Sequence, residues 1–287
     1  MALTSLSEVL KDAEVKKYAV GAFNAVNLDM ARGIILAAEE ERSPVIISLA
    51  EVHLDMAPLD VLGPVLVDLA EKASIPVVVH LDHGSDFSVI MNAMKIGFTS
   101  VMIDGSALEF EQNIEKTQEI VKVAKTLNVS VEAEVGRLVT PETGSTETFE
   151  NLDPKDFYTD PIQAQEFVEK TEVDALAIAF GTAHGLYKSE PQLDFNRIKS
   201  IKDITGMPLV MHGGSGLSDK QYKEAIENGI TKINYYSDMA NTVSRKVKEK
   251  LNNEETCYIH DVSQWTIKFV TENIKEKMRV FGSSQRG

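Results

Sequence analysis

The stretch "VVVHLDHGSD", Val77 to Asp86, ends three β-branched residues with His80, Asp82 and His83 and then turns at Gly84. Burying such polar groups without partners costs on the order of 2–7 kcal/mol each, so something at the end of this run must satisfy them. Further along, Asp104 closes "SVMIDG", Glu132 and Glu134 lie in "VSVEAEVG", His184 follows "DALAIAFGTA", His212 opens "HGGSG" and Asn234 opens "NYYSD". Three imidazoles with an open position are a catalytic zinc arrangement, which marks His83, His184 and His212 as metal ligands. The bland alternative is that each imidazole hydrogen-bonds separately within its own loop. His80 lies deeper and reads as packing or as support for the ligands. His53 and His260 have no such company and read as structural or exposed.

Alternation along a strand would send Asp82 and His83 to opposite faces, so both serve one site only if the chain is leaving the strand, which Gly84 permits. "HGGSG" at 212–216 offers backbone N–H groups that can approach an anion closely, flanked by "GTAHG" and "NYYS". A metal beside a phosphate pocket points to carbonyl chemistry on a phosphorylated sugar. The metal would polarise a ketone and stabilise the enediolate, and Asp82 would move the proton of the hydroxyl at the breaking carbon–carbon bond. A Schiff-base lysine is disfavoured, since "DALAIAFGTAH" contains none; Lys232 and Lys95 remain formal candidates.

These residues need elements that bring them to one place. Apolar runs occur at 19–26, 44–50, 76–83, 100–105, 129–136, 174–185, 208–216 and 232–238. Between them lie segments of helical period such as "NLDMARGIILAAEEER". Eight strand–helix units without a linker predict an α/β fold, a (β/α)8 TIM barrel, whose active site sits at the C-terminal ends of the strands. An open doubly wound sheet would carry a Gly-rich fingerprint after its first strand, and "AFNAVNLDM" has none. Residues 1–287 read as one barrel domain, with a helical extension from about 239 and a polar, exposed "GSSQRG" tail.

The formal charge of −15, from 29 basic and 44 acidic residues, argues against nonspecific binding to nucleic acid or anionic membrane. One cysteine, Cys257, excludes an internal disulfide and a multi-thiolate metal site. The start shows no signal peptide and no run approaches the roughly 18 residues of a membrane span, so a cytoplasmic location is expected.

The motifs "HLDHG", "SVMIDGS", "VEAEVG", "YTDP", "GTAHGLY", "HGGSG" and "KIN", in this order, resemble the class II, metal-dependent ketose-bisphosphate aldolases of the fructose- and tagatose-bisphosphate type. The resemblance implies reversible aldol cleavage of a phosphorylated ketose to dihydroxyacetone phosphate and an aldehyde, in a homodimer or homotetramer. It implies Zn2+ on His83, His184 and His212, contacted also by Glu134, with a second divalent or monovalent cation near Asp104. It makes Asp82 the acid/base at the cleaved bond and Glu142 the residue that exchanges a proton with dihydroxyacetone phosphate. Asn24, Gly185, Lys188, Gly213, Gly214, Ser215, Asn234 and Ser237 match positions that hold the dihydroxyacetone phosphate end.

Three departures stand out. The loop before Glu142 reads "VTPETG", with Pro141 and Thr143 in place of the family's Gly-rich run. In "NYYSDMAN", Tyr236 stands for an acid and Ala240 where a cation is expected. "LAEVHLDM" lacks the usual Ser-Glu-Gly-Ala and carries Asp55 in place of a lysine. The far end of the substrate therefore reads as cation-poor, and the aldehyde as something other than glyceraldehyde 3-phosphate. A noncatalytic, assembly-stabilising subunit and a metal-dependent phosphosugar epimerase are the alternatives.

Overall fold

The computed structural model describes residues 2–137, 157–185, 187 and 190–287. Eight parallel strands close into a barrel in chain order: β1 (Val20–Asn24), β2 (Val45–Ala50), β3 (Val77–Gly84), β4 (Ser100–Ile103), β5 (Ser130–Val135), β6 (Ala175–Ile178), β7 (Leu209–Met211) and β8 (Ile230–Asn234), with β1 also pairing β8. The expected (β/α)8 barrel is present. Parallel strands covered on both faces read as continuous apolar runs, and all residues of β1, β2, β4, β5, β6 and β7 are buried.

The helices are α1 (Leu6–Lys16), α2 (Leu28–Glu41), α3 (Leu59–Lys72), α4 (Phe87–Ile96), α5 (Phe110–Leu127), α6 (Pro161–Thr171), α7 (Phe195–Thr205), α8 (Asp219–Asn228), α9 (Ser237–Asn253) and α10 (Ile259–Phe281). Several begin on side chains that accept from free N–H groups of the first turn: Asn27 for α2, Asp86 for α4, Asp160 for α6 and Ser218, in a capping box with Gln221, for α8. Apolar residues on their inner faces and on the outer faces of the strands form one continuous core. None of the helices among the described residues is long and apolar enough to cross a membrane.

α1 crosses the N-terminal end of the barrel. Its Leu6, Val9, Leu10 and Ala13 cluster with the interior residues Val20, Ala22, Ile46, Val78, Met102, Ala175, Ala177 and Val210. Ser7 Oγ lies 3.0 Å from Ser130 Oγ at the first residue of β5 and donates to Asp174 at 2.6 Å. That end is shut, and the strands open only at their C-terminal ends.

Two expectations need correction. The apolar runs overshoot the strands: β6 stops at Ile178 and β7 at Met211, while β8 begins at Ile230, two residues before the run. Apolar character continues past β6 because Ala179 and Phe180 are buried in the turn that follows it. The polar tail is exposed at Gly282, Gln285, Arg286 and Gly287, as expected, but it is docked as well. Ser283 is fully buried and pairs with Ser43, while the backbone N–H groups of Gln285 and Gly287 donate to the Glu41 and Arg42 carbonyls at 2.8 and 2.7 Å. The carbonyls released at the end of α2 supply these acceptors.

Candidate active site

The chain leaves β3 through His83, whose φ of 49° lies in the left-handed region. The β3–β4 register slips between Leu81 and Gly84 at the same place, so Asp82 and His83 both address the open end of the barrel despite being neighbours. Gly84 has a different role from the hinge expected of it. A β-carbon there would sit 2.6 Å from the Met102 carbonyl oxygen, so glycine lets β3 and β4 approach closely. Glu51, in the 3-10 turn Glu51–His53 after β2, ties this exit down by accepting from Ser85 N at 2.7 Å and Ser85 Oγ at 2.8 Å.

His83, His184 and His212 converge. His83 Nε2 is 3.2 Å from His184 Nε2 and 2.9 Å from His212 Nδ1. Their outer contacts set the tautomers. His83 Nδ1 donates to Asp104 at 2.8 Å, and His212 Nε2 donates to the buried Glu132 at 2.7 Å. In the neutral rings this leaves the lone pairs of His83 Nε2 and His212 Nδ1 facing each other. The Asn234 amide Nδ2 lies 3.2 Å from His212 Nδ1 as well, and a proton or a metal ion between the two rings would relieve the conflict. Burial alone would lower the His83 pKa, but the charge of Asp82 and the hydrogen bond that His83 donates to Asp104 outweigh it and raise it to about 10. Burial and the neighbouring His83 charge pull His184 down to about 3 and His212 below its usual value.

Ligand atoms of His83, His184 and His212 lie within 4.8 Å of one another, and so do those of His83, Asp104 and Glu134. Both groups share His83. Glu134 Oε2 is buried and lacks a hydrogen-bond partner among the described residues. Burial, and then the charge of Asp104, raise the Glu134 pKa well above the carboxylate range. A divalent cation would relieve this penalty and the lone-pair conflict together, so the donor set fits one: three imidazole nitrogens and carboxylate oxygens suit zinc.

Asp82 is buried but held ionised. Burial raises its pKa, but the charges of His83, His212 and Lys232 pull it well below the usual range. Asn24 Nδ2 donates to Oδ2 at 2.8 Å and Asn234 Nδ2 to Oδ1 at 2.9 Å. Asn24 Oδ1 is buried and lacks a protein partner among the described residues.

A cavity of about 260 Å³ joins these groups, close to the lower end for small-ligand sites. Its lining includes Gly185, Gly213, Gly214, Ser215 and Ser237. Gly213 has φ 64°, and a β-carbon there would fall 2.5 Å from the Ala183 carbonyl oxygen, so only glycine fits. Tyr187 fastens this loop to the one carrying His184: its hydroxyl donates to Gly213 O at 2.7 Å and accepts from Ala183 N at 2.9 Å. α9 begins at Ser237 without a side-chain cap, leaving first-turn N–H groups beside the same glycines.

Asp82, His83, Asp104, Glu134, His184, His212, Asn24, Gly185, Gly213, Gly214, Ser215, Asn234 and Ser237 thus share one cavity or its wall. Lys188 and Glu142 lie outside the described residues. His53, expected to stand apart, lines the cavity with its ring 4.8 Å from that of Tyr236; its place three residues past Ala50, the end of β2, was the overlooked signal. Lys232 proves to be fully buried and 2.8 Å from Glu132, so its nitrogen is engaged in an ion pair.

The pattern described as fructose-bisphosphate aldolase class-II matches residues 4–286. The crystal structure of the YdjI aldolase from Escherichia coli K12 superposes with a TM-score of 0.88 at 38 % identity, covering 99 % of both chains. The fructose-bisphosphate aldolase of Staphylococcus epidermidis is 39 % identical over 294 residues, covering 100 % of this chain and 99 % of that one. The sulfofructosephosphate aldolase of Alkalicoccus urumqiensis is 37 % identical over 289 residues, again covering 100 % and 99 %.

Proposed function

The chain belongs to the class-II fructose-bisphosphate aldolase family, and from that premise we propose that it cleaves a phosphorylated ketose reversibly to dihydroxyacetone phosphate and an aldehyde, with zinc as its metal. The observation that carries this reading is the ionised Asp82 beside three converging imidazoles whose mutual contacts a cation would relieve. His83, His184 and His212 would hold the metal, with Glu134 and Asp104 at its edge. The bound ion would supply Lewis acidity to the substrate carbonyl.

The protein's own groups do the rest. Asn24 and Asn234 hold Asp82 so that a carboxylate oxygen can take the proton from the hydroxyl on the far carbon of the breaking bond. As that hydroxyl becomes the aldehyde, the bonding pair passes to the three-carbon fragment. A proton must then reach that fragment's new carbanionic carbon, a step assigned to Glu142. Gly213, Gly214, Ser215 and the first turn of α9 would receive the phosphate through backbone N–H groups, with Gly185, Ser237 and Lys188 beside it.

The far half of the substrate is a separate matter. Neither Lys nor Arg lines the cavity among the described residues, and Val52, His53 and Tyr236 form part of its wall. A second phosphate asks for cations or a row of amides. The aldehyde is therefore a longer one, or one with a different charge, in place of glyceraldehyde 3-phosphate. Relatives of nearly equal identity carry different substrate names, which supports leaving this half to the lining residues. The proposal takes residues 1–287 as one aldolase domain acting in the cytoplasm as a homodimer or homotetramer, a state that light scattering would read.

The test is deuterium exchange from D2O into the hydroxymethyl carbon of dihydroxyacetone phosphate, followed by NMR. A chelator should stop the exchange and zinc restore it. Asp82→Ala should keep it while losing roughly 10²–10⁴-fold in cleavage. Zinc-loaded protein without exchange would withdraw the aldolase reading; exchange without cleavage of any ketose 1-phosphate would favour an epimerase. Equal kcat/KM on fructose 1,6-bisphosphate and on neutral ketose 1-phosphates would remove the argument about the aldehyde.

A further inference from the structure

Below the imidazole cluster, inside the barrel, Glu132 on β5 and Lys232 on β8 form an ion pair with both side chains fully buried and 2.8 Å between Nζ and Oε2. Removing two charges from water costs several kcal/mol per ion, and a well-packed apolar pair would serve stability as well. The second contacts of each partner suggest what the pair does instead. Glu132 Oε1 accepts a hydrogen bond from His212 Nε2 at 2.7 Å, while Lys232 Nζ donates to Asn234 Oδ1 at 2.7 Å.

The latter contact matters because an amide has an accepting end and a donating end. With Oδ1 committed to the ammonium, Asn234 Nδ2 must face the other way, where it lies 2.9 Å from Asp82 Oδ1. A flipped amide would set its oxygen against the Asp82 carboxylate and its NH2 against the ammonium, which fails at both ends. Asn24, the other donor to Asp82, has no such anchor for its own Oδ1 among the described residues. One buried polar chain thus runs from His212 through Glu132, Lys232 and Asn234 to Asp82.

We propose that Lys232, anchored by Glu132 across the barrel interior, is a positioning residue that fixes the Asn234 side-chain amide so that its NH2 holds the Asp82 carboxylate in place. The kinetic part of its test rests on the aldolase reading. Lys232→Met with Glu132→Gln removes both charges at once and leaves the glutamine carbonyl to accept from His212. That paired variant should keep one equivalent of zinc by mass spectrometry while its cleavage kcat falls about 30-fold. In an Asn234→Ala background the same pair should change kcat by less than about threefold, because contacts that act through one another are not additive.

Equal losses in the two backgrounds, or a paired variant that cleaves like wild type, would overturn the proposal. A second measurement needs no turnover: in 15N-labelled protein the Asn234 side-chain NH2 protons, which donate to Asp82, should exchange with solvent far more slowly than those of a free amide, and the folded Lys232→Met/Glu132→Gln pair should lose that protection; equal protection in the two proteins would overturn the inference. Wild-type protein that cleaves no ketose phosphate would defeat the function alone, and the amide measurement would still decide the role of Lys232.

Discussion

A left-handed backbone costs a side-chain-bearing residue roughly 1–2 kcal/mol, and the protein holds His83 there at φ 49°. What it gains is direction, since Asp82 and His83 then act at one mouth from adjacent positions. The charge arrangement has a consequence in the metal-free protein. His83 is raised from 6.5 to about 10 by its carboxylate neighbours against the effect of burial. A basic group raised on folding stabilises the fold fully below its unfolded pKa, and that contribution disappears as pH climbs through the folded one. The chelated protein should therefore lose melting temperature between about pH 6.5 and 10 from this group, and the zinc-loaded protein should lose less, because the ion replaces the proton. Identical melting curves for the chelated protein at both ends of that range would contradict the assignment.

His83, His184, His212 and Asp82 were legible at the residue level because each stands in the later part of an apolar run; His53, beyond the end of its run, was not. Nor was the Glu132–Lys232 pair. Glu132 and Lys232 are 100 positions apart, and only barrel closure, with two strands between theirs, brings them together. Gly84 was singled out correctly, but for the wrong property: close approach to Met102, with His83 itself making the turn.

Among the elements, α1 and α10 are the two helices the strand–helix count does not require, and α10 lies along α2. Gly33 makes this possible. A β-carbon there would stand 2.7 Å from Val270 Cγ1 and 3.0 Å from the Ile267 carbonyl oxygen. Thr271 Oγ1 also donates to Gly33 O at 3.2 Å. Gly33→Ala tests this seat, since helix propensity alone would favour alanine by about 1 kcal/mol. Overpacking typically costs about 1–3 kcal/mol, so the melting temperature should fall by a few degrees while zinc content stays the same. A rise would mean that α10 can move aside freely. Sequence periodicity showed a helix here, but its docking on α2 and the pinned "GSSQRG" tail depend on a glycine and on carbonyls at the end of α2, neither of which an apolar pattern records. Strand ends were blurred for a related reason: buried turn residues such as Phe180 look like strand.

At the scale of the whole molecule, the formal charge of −15 faces a substrate that is itself an anion. Repulsion of this range is screened as the Debye length shrinks from about 30 Å at 10 mM salt to about 8 Å at 150 mM. The value of kcat/KM for a ketose phosphate should rise over that interval, and a fall would show that the local field of the mouth outweighs the total charge. The barrel architecture was legible in outline from eight apolar runs, whereas the stopper formed by α1 was not, because its pattern is that of any amphipathic helix.

That stopper governs the order of events. With α1 sealing one end and side chains filling the interior, the cavity opens, among the described residues, at the C-terminal ends of the strands. Cleavage turns one molecule into two, and both must leave by that mouth. On the proposed placement the phosphate-bearing fragment would be held by the buried Gly213–Gly214–Ser215 loop, and the other has no Lys or Arg to hold it among the described residues. Departure is then sequential, with the aldehyde first and the phosphate-bearing fragment last. In steady state, dihydroxyacetone phosphate should compete directly with the ketose, and the aldehyde should inhibit noncompetitively; the opposite pattern would mean that the two products do not queue.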